Sequence, residues 1–127
     1  MSDVTSAIKT VDALLQAYKS GQRSFVSLSL TAADLSDADL KGVDLSYADL
    51  SGANLARVNL RGADLSYARL CDADLTDADL RGSMLIGTDL RESKLDNAML
   101  QSADYDPAET HFPKHFDIKA ANMRPDR

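Results

Sequence analysis

The dominant pattern along the chain is a leucine at every fifth position, unbroken from Leu30 to Leu100, with Phe25 and Tyr105 in phase at its two ends. Two residues before each leucine stands a small residue, as in Ala33, Ala38, Val43, Ala48, Ala53, Val58, Ala63 and Ala68. The residue between the two is usually Asp or Asn, and the two that follow each leucine are polar or Gly in most units. An α-helix turns by about 100° per residue, so leucines five apart define no face of it. A flat strand alternates faces with period two, so an odd spacing throws successive leucines to opposite sides. A solenoid satisfies the pattern: each unit of five is one side of a coil, a bend separates the sides, and every leucine points inward. One large and one small inward residue per side suit a narrow, close-packed interior.

The best self-match is at a lag of twenty residues: Gly42, Gly62 and Gly82; Lys41, Arg61 and Arg81; Ser46-Tyr47-Ala48 and Ser66-Tyr67-Ala68. Four sides of five therefore make one coil. The stretch from Phe25 to Tyr105 is then about four coils, roughly 19 Å of stack at a rung spacing near 4.8 Å. The same lag places opposite charges in columns, Asp49, Arg69, Asp89 and Asp37, Arg57, Asp77, which would help to hold the register.

Units such as Ala63-Asp64-Leu65-Ser66 and Ala53-Asn54-Leu55 resemble the pentapeptide-repeat proteins, whose unit is a small residue, Asp or Asn, Leu or Phe, then a polar residue and often Gly. The resemblance implies an all-β solenoid, a right-handed quadrilateral β-helix. The flanks, Val11 to Tyr18 with Gly21 to Phe25 and Asp106 to Asp117, resemble those of cyanobacterial members. We expect one domain, with residues 1–24 an N-terminal helix cap, 25–105 the β-helix and 106–127 a C-terminal capping segment and tail. Exposed leucines at either pole of such a stack invite aggregation unless covered. An amphipathic helix from about Val4 to Lys19, capped by Ser2 or Asp3 and ended by Gly21, is predicted to cover the first coil. The segment with Pro107, Phe112, Pro113 and Phe116 is predicted to fold over the last coil, with Pro125 to Arg127 fraying. With both poles covered, a monomer is expected.

Charge narrows the function. The net charge is −6 and the pI near 4.7, which disfavours nucleic acid and anionic membrane as partners. Cys71 is the single cysteine, so no internal disulfide forms. The beginning of the chain has no basic lead or long apolar run, and a soluble cytoplasmic protein is expected. His111 and His115 stand four apart, yet Pro113 lies between them and no cluster of further ligands completes a set, so no metal is expected. No nucleophile with a base, no phosphate-cradling loop and no convergent pocket is seen, so neither catalysis nor a cofactor is expected. Cys71 reads as a small corner residue standing in for Ser.

Three features stand out from the repeat and become candidate partner-binding residues. Lys41, Arg61 and Arg81 form a basic stripe on an acidic body, with Asp39, Asp79, Asp44 and Asp64 near enough to neutralise it. Tyr47 and Tyr67 share a corner column and could stack. Met84, Ile86 and Met99 replace polar outward residues, either as a binding patch or as a seat for the C-terminal segment. The leading expectation is a non-catalytic scaffold for an unidentified protein partner. The alternative takes its lead from a branch of the resembled family that mimics duplex DNA and modulates DNA gyrase. Fourteen acids against seven bases in residues 26 to 105 favour it. The shortness of four coils, the alternation of charge sign and the lack of a protruding loop count against it. Ice binding would need a flat threonine array, which the outward positions lack.

Overall fold

The structure, a computed structural model, describes residues 7–126. Its body is a stack of coils paired at the predicted lag: Ser24 bridges Asp44, Ser29 bridges Asp49, Asp34 bridges Asn54 and Asp39 bridges Asn59, all parallel, and the series continues up the chain. Side one carries Phe25, Leu45, Leu65, Leu85 and Tyr105. Side two carries Leu30 to Leu90, side three Leu35 to Leu95 and side four Leu40 to Leu100, each in steps of twenty. In the bridges between successive coils from Ser24 to Asp104 one residue per side is paired, because a side of five must also supply a corner.

The corners explain how an L-amino-acid chain can bend this often. Each inward residue accepts the N–H of the residue three ahead, as in Leu28 to Phe25 at 3.2 Å and Ala63 to Leu60 at 3.0 Å. The residue between, two past each leucine, has positive φ at every fifth position from Ser27 to Ser102. That is the β-turn in which the third residue is left-handed, a role usual for Gly or Asn. Here Tyr47, Arg57, Tyr67 and Glu92 also fill it, with φ between 60° and 63°. A residue with a Cβ pays about 1–2 kcal/mol there. Glu92 is exposed, so Glu92→Gly is expected to raise stability by about 0.5–1 kcal/mol once glycine's extra unfolded freedom is subtracted. Thermal denaturation of the two proteins measures it.

The interior is almost wholly apolar. Leucines from Leu40 to Leu90 are fully buried, and the small residues Val43, Ala48, Val58, Ala63, Ala68, Ala73 and Ala78 lie between them. Where hydroxyls replace alanine, most find a carbonyl: Thr88 donates to Leu65 O at 2.7 Å and Ser93 to Leu90 O at 2.7 Å. The Ser83 hydroxyl is buried without a partner among the described residues. Ser83→Ala removes that unmet group and is expected to add about 1 kcal/mol in a denaturant titration.

Outside the coils, α1 spans Val11–Lys19. It starts later than the apolar periodicity suggests, because Thr10 is extended (φ −136°) and its side chain accepts the Ala13 N–H at 3.1 Å. Ile8 is buried without being part of the helix. Val4 and the expected caps Ser2 and Asp3 lie outside the described residues. At the other end Gly21, with φ 105°, returns its N–H to Tyr18 O, and Gln22 returns its own to Ala17 O. Leu14 is fully buried in the same cluster as Phe25.

Of the end expected to fray, Arg127 lies outside the described residues, whereas Pro125 and Asp126 are tied down. Strand β1 (Asp104–Tyr105) pairs in parallel with β2 (Arg124–Pro125), and the Asp126 N–H reaches Tyr105 O. Arg124 lies over Asp104 in a two-pronged contact of 3.0 and 3.3 Å, which holds the end in register. Earlier in the segment His111 bridges Asp89, two residues later than the period of twenty would place it. Thr110 fastens that detour: its hydroxyl donates to Leu85 O and accepts the Asp106 N–H. Phe112 stacks on Phe116 with centroids 5.2 Å apart, and Tyr105 meets Phe112 edge-on. Among the described residues no helix is long and apolar enough to cross a membrane.

Candidate interaction face

Side one carries Ser24, Asp44, Asp64, Met84, Asp104 and Arg124 on successive rungs. The corner before it holds Lys41, Arg61 and Arg81, and the corner after it holds Tyr47, Tyr67 and Ile86. Seven of the eight residues singled out in the sequence therefore frame one side, with a basic edge, an aromatic edge and Met84 between. Met99 stands apart on side four, above Asp79.

The aromatic edge is built from the corners. Positive φ at Tyr47 and Tyr67 directs both rings outward, and stacking places their centroids 5.2 Å apart at 14°. The next position in the column is Gly87, where a Cβ would come within 2.4 Å of the Tyr67 ring. Gly87 thus lets the second ring lie flat against the backbone. The Tyr67 hydroxyl is 3.4 Å from Glu109 Oε1, and that carboxylate is the main reason its pKa is raised. Tyr47 and Tyr67 remain 58% and 42% exposed, so stacking does not bury them. Val26, exposed in the first coil on the same corner, extends the edge. It was missed because one apolar residue in a column of Ser46 and Ser66 looks like ordinary variation, although Ile86 in that column repeats it.

The basic edge is only partly answered. Arg81 grips Asp79 through two bonds of 2.9 and 2.7 Å, and Arg61 Nε stands 4.0 Å from the same carboxylate. Among the described residues Lys41 has no ion pair; its carbonyl accepts the Tyr18 hydroxyl at 2.6 Å. Asp39, Asp44 and Asp64 are turned to another task. Each uses Oδ1 to hold the N–H of the residue two ahead, Lys41, Ser46 and Ser66 respectively.

That Asp or Asn turn recurs at Asp34, Asp49, Asn54, Asn59, Asp74, Asp79 and Asp89, so the outward acids are corner fasteners as well as a solvated face. Side-chain donors also shift the ionisation of several of these acids. The Ser51 hydroxyl holds Asp49 below the usual carboxylate range, the Thr76 hydroxyl does so for Asp74, and Arg91, seconded by Cys71, does so most strongly for Asp89. A carboxylate with a depressed folded pKa contributes stability above its unfolded value near 3.9 and loses it as pH falls through the folded value. The melting temperature is therefore expected to fall progressively below about pH 4. Asp74→Asn keeps the turn, as Asn54 and Asn59 do, and should flatten that fall when melting is followed by circular dichroism across pH.

The charge columns are half realised. Arg57 binds Asp37 through bonds of 2.7 and 2.9 Å. Arg69 makes no ion pair within 4.0 Å among the described residues, because Asp49 is held by Ser51 and Asp89 by Arg91. Cys71 is half-buried, and burial, then its bond to Asp89, pushes its thiol up, away from nucleophilic character. His111 sits on a rung, whereas His115 occupies a left-handed turn at φ 66°.

The family model described as pentapeptide repeats matches residues 25–46, 38–77 and 73–104, in eight copies. A crystal structure of a pentapeptide-repeat protein from Nostoc Pcc 7120 is 50% identical, covers 94% of this chain and 98% of its own, and has a TM-score of 0.92. A pentapeptide-repeat protein from the thylakoid lumen of Arabidopsis thaliana is 34% identical, covering 57% of this chain and 52% of its own with a TM-score of 0.56. No curated protein matches the sequence.

Proposed function

The chain belongs to the pentapeptide-repeat family, whose members fold as right-handed quadrilateral β-helices, and from that premise we propose that it is a non-catalytic scaffold binding a protein partner through side one. The observation that carries the reading is the framing of one flat side by an uncovered pair of stacked tyrosines and a partly unneutralised basic edge. Rigid aromatic area costs a binding surface little ordering entropy, and a basic edge selects an acidic border on the partner. In this reading the chain is a cytoplasmic monomer of four coils from Phe25 to Tyr105, with residues 1–24 and 106–127 covering the poles, and without cofactor or catalysis. The half-buried, unpaired Cys71 is compatible with a reducing compartment.

The experiment compares capture of proteins from a native lysate by three forms matched for circular dichroism. These are the native chain, the triple variant Lys41→Glu, Arg61→Glu, Arg81→Glu, and the double variant Tyr47→Gly, Tyr67→Gly. Glycine suits the left-handed corners, so the double variant removes the rings without straining the backbone. A protein retained by the native form and lost by both variants supports side one. Equal capture by all three overturns it, and recovery of gyrase subunits would move the reading to the DNA mimic.

A further inference from the structure

Among the described residues the last coil is bridged from above on sides one and two, and at the corner after side four the Ser102 N–H donates to Asn122 O at 3.0 Å. Arg124 covers Asp104 on side one and His111 covers Asp89 on side two. Side three is different. One coil lower, the Leu75 N–H donates to Lys94 O at 2.8 Å, the Asp77 N–H donates to Asp96 O at 2.9 Å, and Ala73 O accepts the Lys94 N–H at 2.9 Å. The equivalent groups of the last coil, the Leu95 N–H, the Asn97 N–H and the Ser93 carbonyl, have no partner among the described residues. Beside them lies a cleft of about 350 Å³ between residues 93–96 and 113–117. Leu95 is the one leucine of the inward run that is only half-buried.

We propose that this cleft is a binding site for an extended acidic peptide segment, which adds to side three as one further parallel rung. Three observations define the occupant. Two donors and one acceptor in ladder register are complementary to extended main chain, the basis of strand addition. The half-buried Leu95 calls for a large apolar residue above it and the adjacent Ser93 for a small one. Between them the guest's outward residue falls above Lys94. Elsewhere opposite charges lie on consecutive rungs, Arg57 over Asp37 and Arg124 over Asp104, and Lys94 itself helps to lower the pKa of Asp74 beneath it. Lys114 adds a second cation to the cleft, which Asp96 and Asp117 also line, so the acidic preference rests on the position of Lys94 in the ladder. The guest is thus small, acidic, large and apolar in that order, the order of the chain's own rungs such as Ala63-Asp64-Leu65. This site stands apart from side one and survives or fails independently of it.

The test titrates the full chain with a blocked synthetic peptide, Gly-Ala-Asp-Leu-Ser, and follows backbone amides by nuclear magnetic resonance. Saturable shifts at Leu95 and Asn97 are expected. N-methylation of the peptide's aspartate amide, which would donate to Ser93 O, should weaken binding about tenfold. Lys94→Glu should weaken it severalfold, and Lys41→Glu should leave it unchanged. Absence of saturation, equal binding of the N-methylated peptide, or shifts confined to other sides would overturn the proposal. So would a concentration-dependent change at the same amides in the free protein, which would assign the edge to a second copy.

Discussion

Replacing Leu60 with alanine is expected to lower stability by about 2–5 kcal/mol. Leu60 is fully buried, with Leu40 and Leu80 fully buried on the rungs either side of it. Its backbone is held twice, by its N–H to Asp79 O at 2.8 Å and by its carbonyl to the Ala63 N–H at 3.0 Å. The walls cannot move in to fill the space, because the ladder sets the rung spacing and every side is tied to the next coil. The loss should therefore lie toward the costly end of the range. Urea unfolding followed by circular dichroism would show a lower midpoint with the slope unchanged. A neutral result would mean that the interior is not packed as described.

Phe25→Ala is expected to cost about 3–5 kcal/mol of local stability, and to be felt differently. Phe25 takes a leucine position in the first coil, is fully buried and shares a cluster with Leu14 of α1. A solenoid's coils interact mainly with their neighbours, so a defect at the end can be met by losing the end rather than the whole. The variant should thus show a reduced denaturant slope as well as a lower midpoint, since α1 and the first rungs open before the rest. Amide exchange would locate the change: protection lost at Ser27 and Leu30, whose N–H groups bond to Ser46 O and Asp49 O, and retained at Leu60. Uniform loss of protection would show that the stack unfolds as one unit.

These packing statements were legible in the sequence because the leucine period admits one backbone and the lag of twenty settles which residues stack. The same arithmetic contained more than was drawn from it: Lys41, Tyr47 and Met84 fall around one side once the coil is closed. What the pattern concealed was the work of individual polar atoms. Asp44 and Asp64 look like free surface charge, yet each holds a corner N–H. The start of α1 was concealed because Ala7 and Ile8 keep the apolar period past Thr10, and periodicity does not register an extended capping residue. The register of the C-terminal segment was concealed for a related reason: Pro107 and Pro113 argue against helix but say nothing of which rung a chain returns to.

The two-residue delay before His111 has a further consequence. A coil of constant repeat behaves as a one-dimensional lattice, and any face that reproduces the lattice step is a seed on which another molecule can grow. The delay acts as a dislocation in that lattice. A second molecule arriving in register meets side two occupied out of step and side one already occupied in step, and finds at most part of a ring on which to grow. Growth into filaments is thereby poisoned at this end by the slipped phase of one side and the occupation of another, whatever the surface charge.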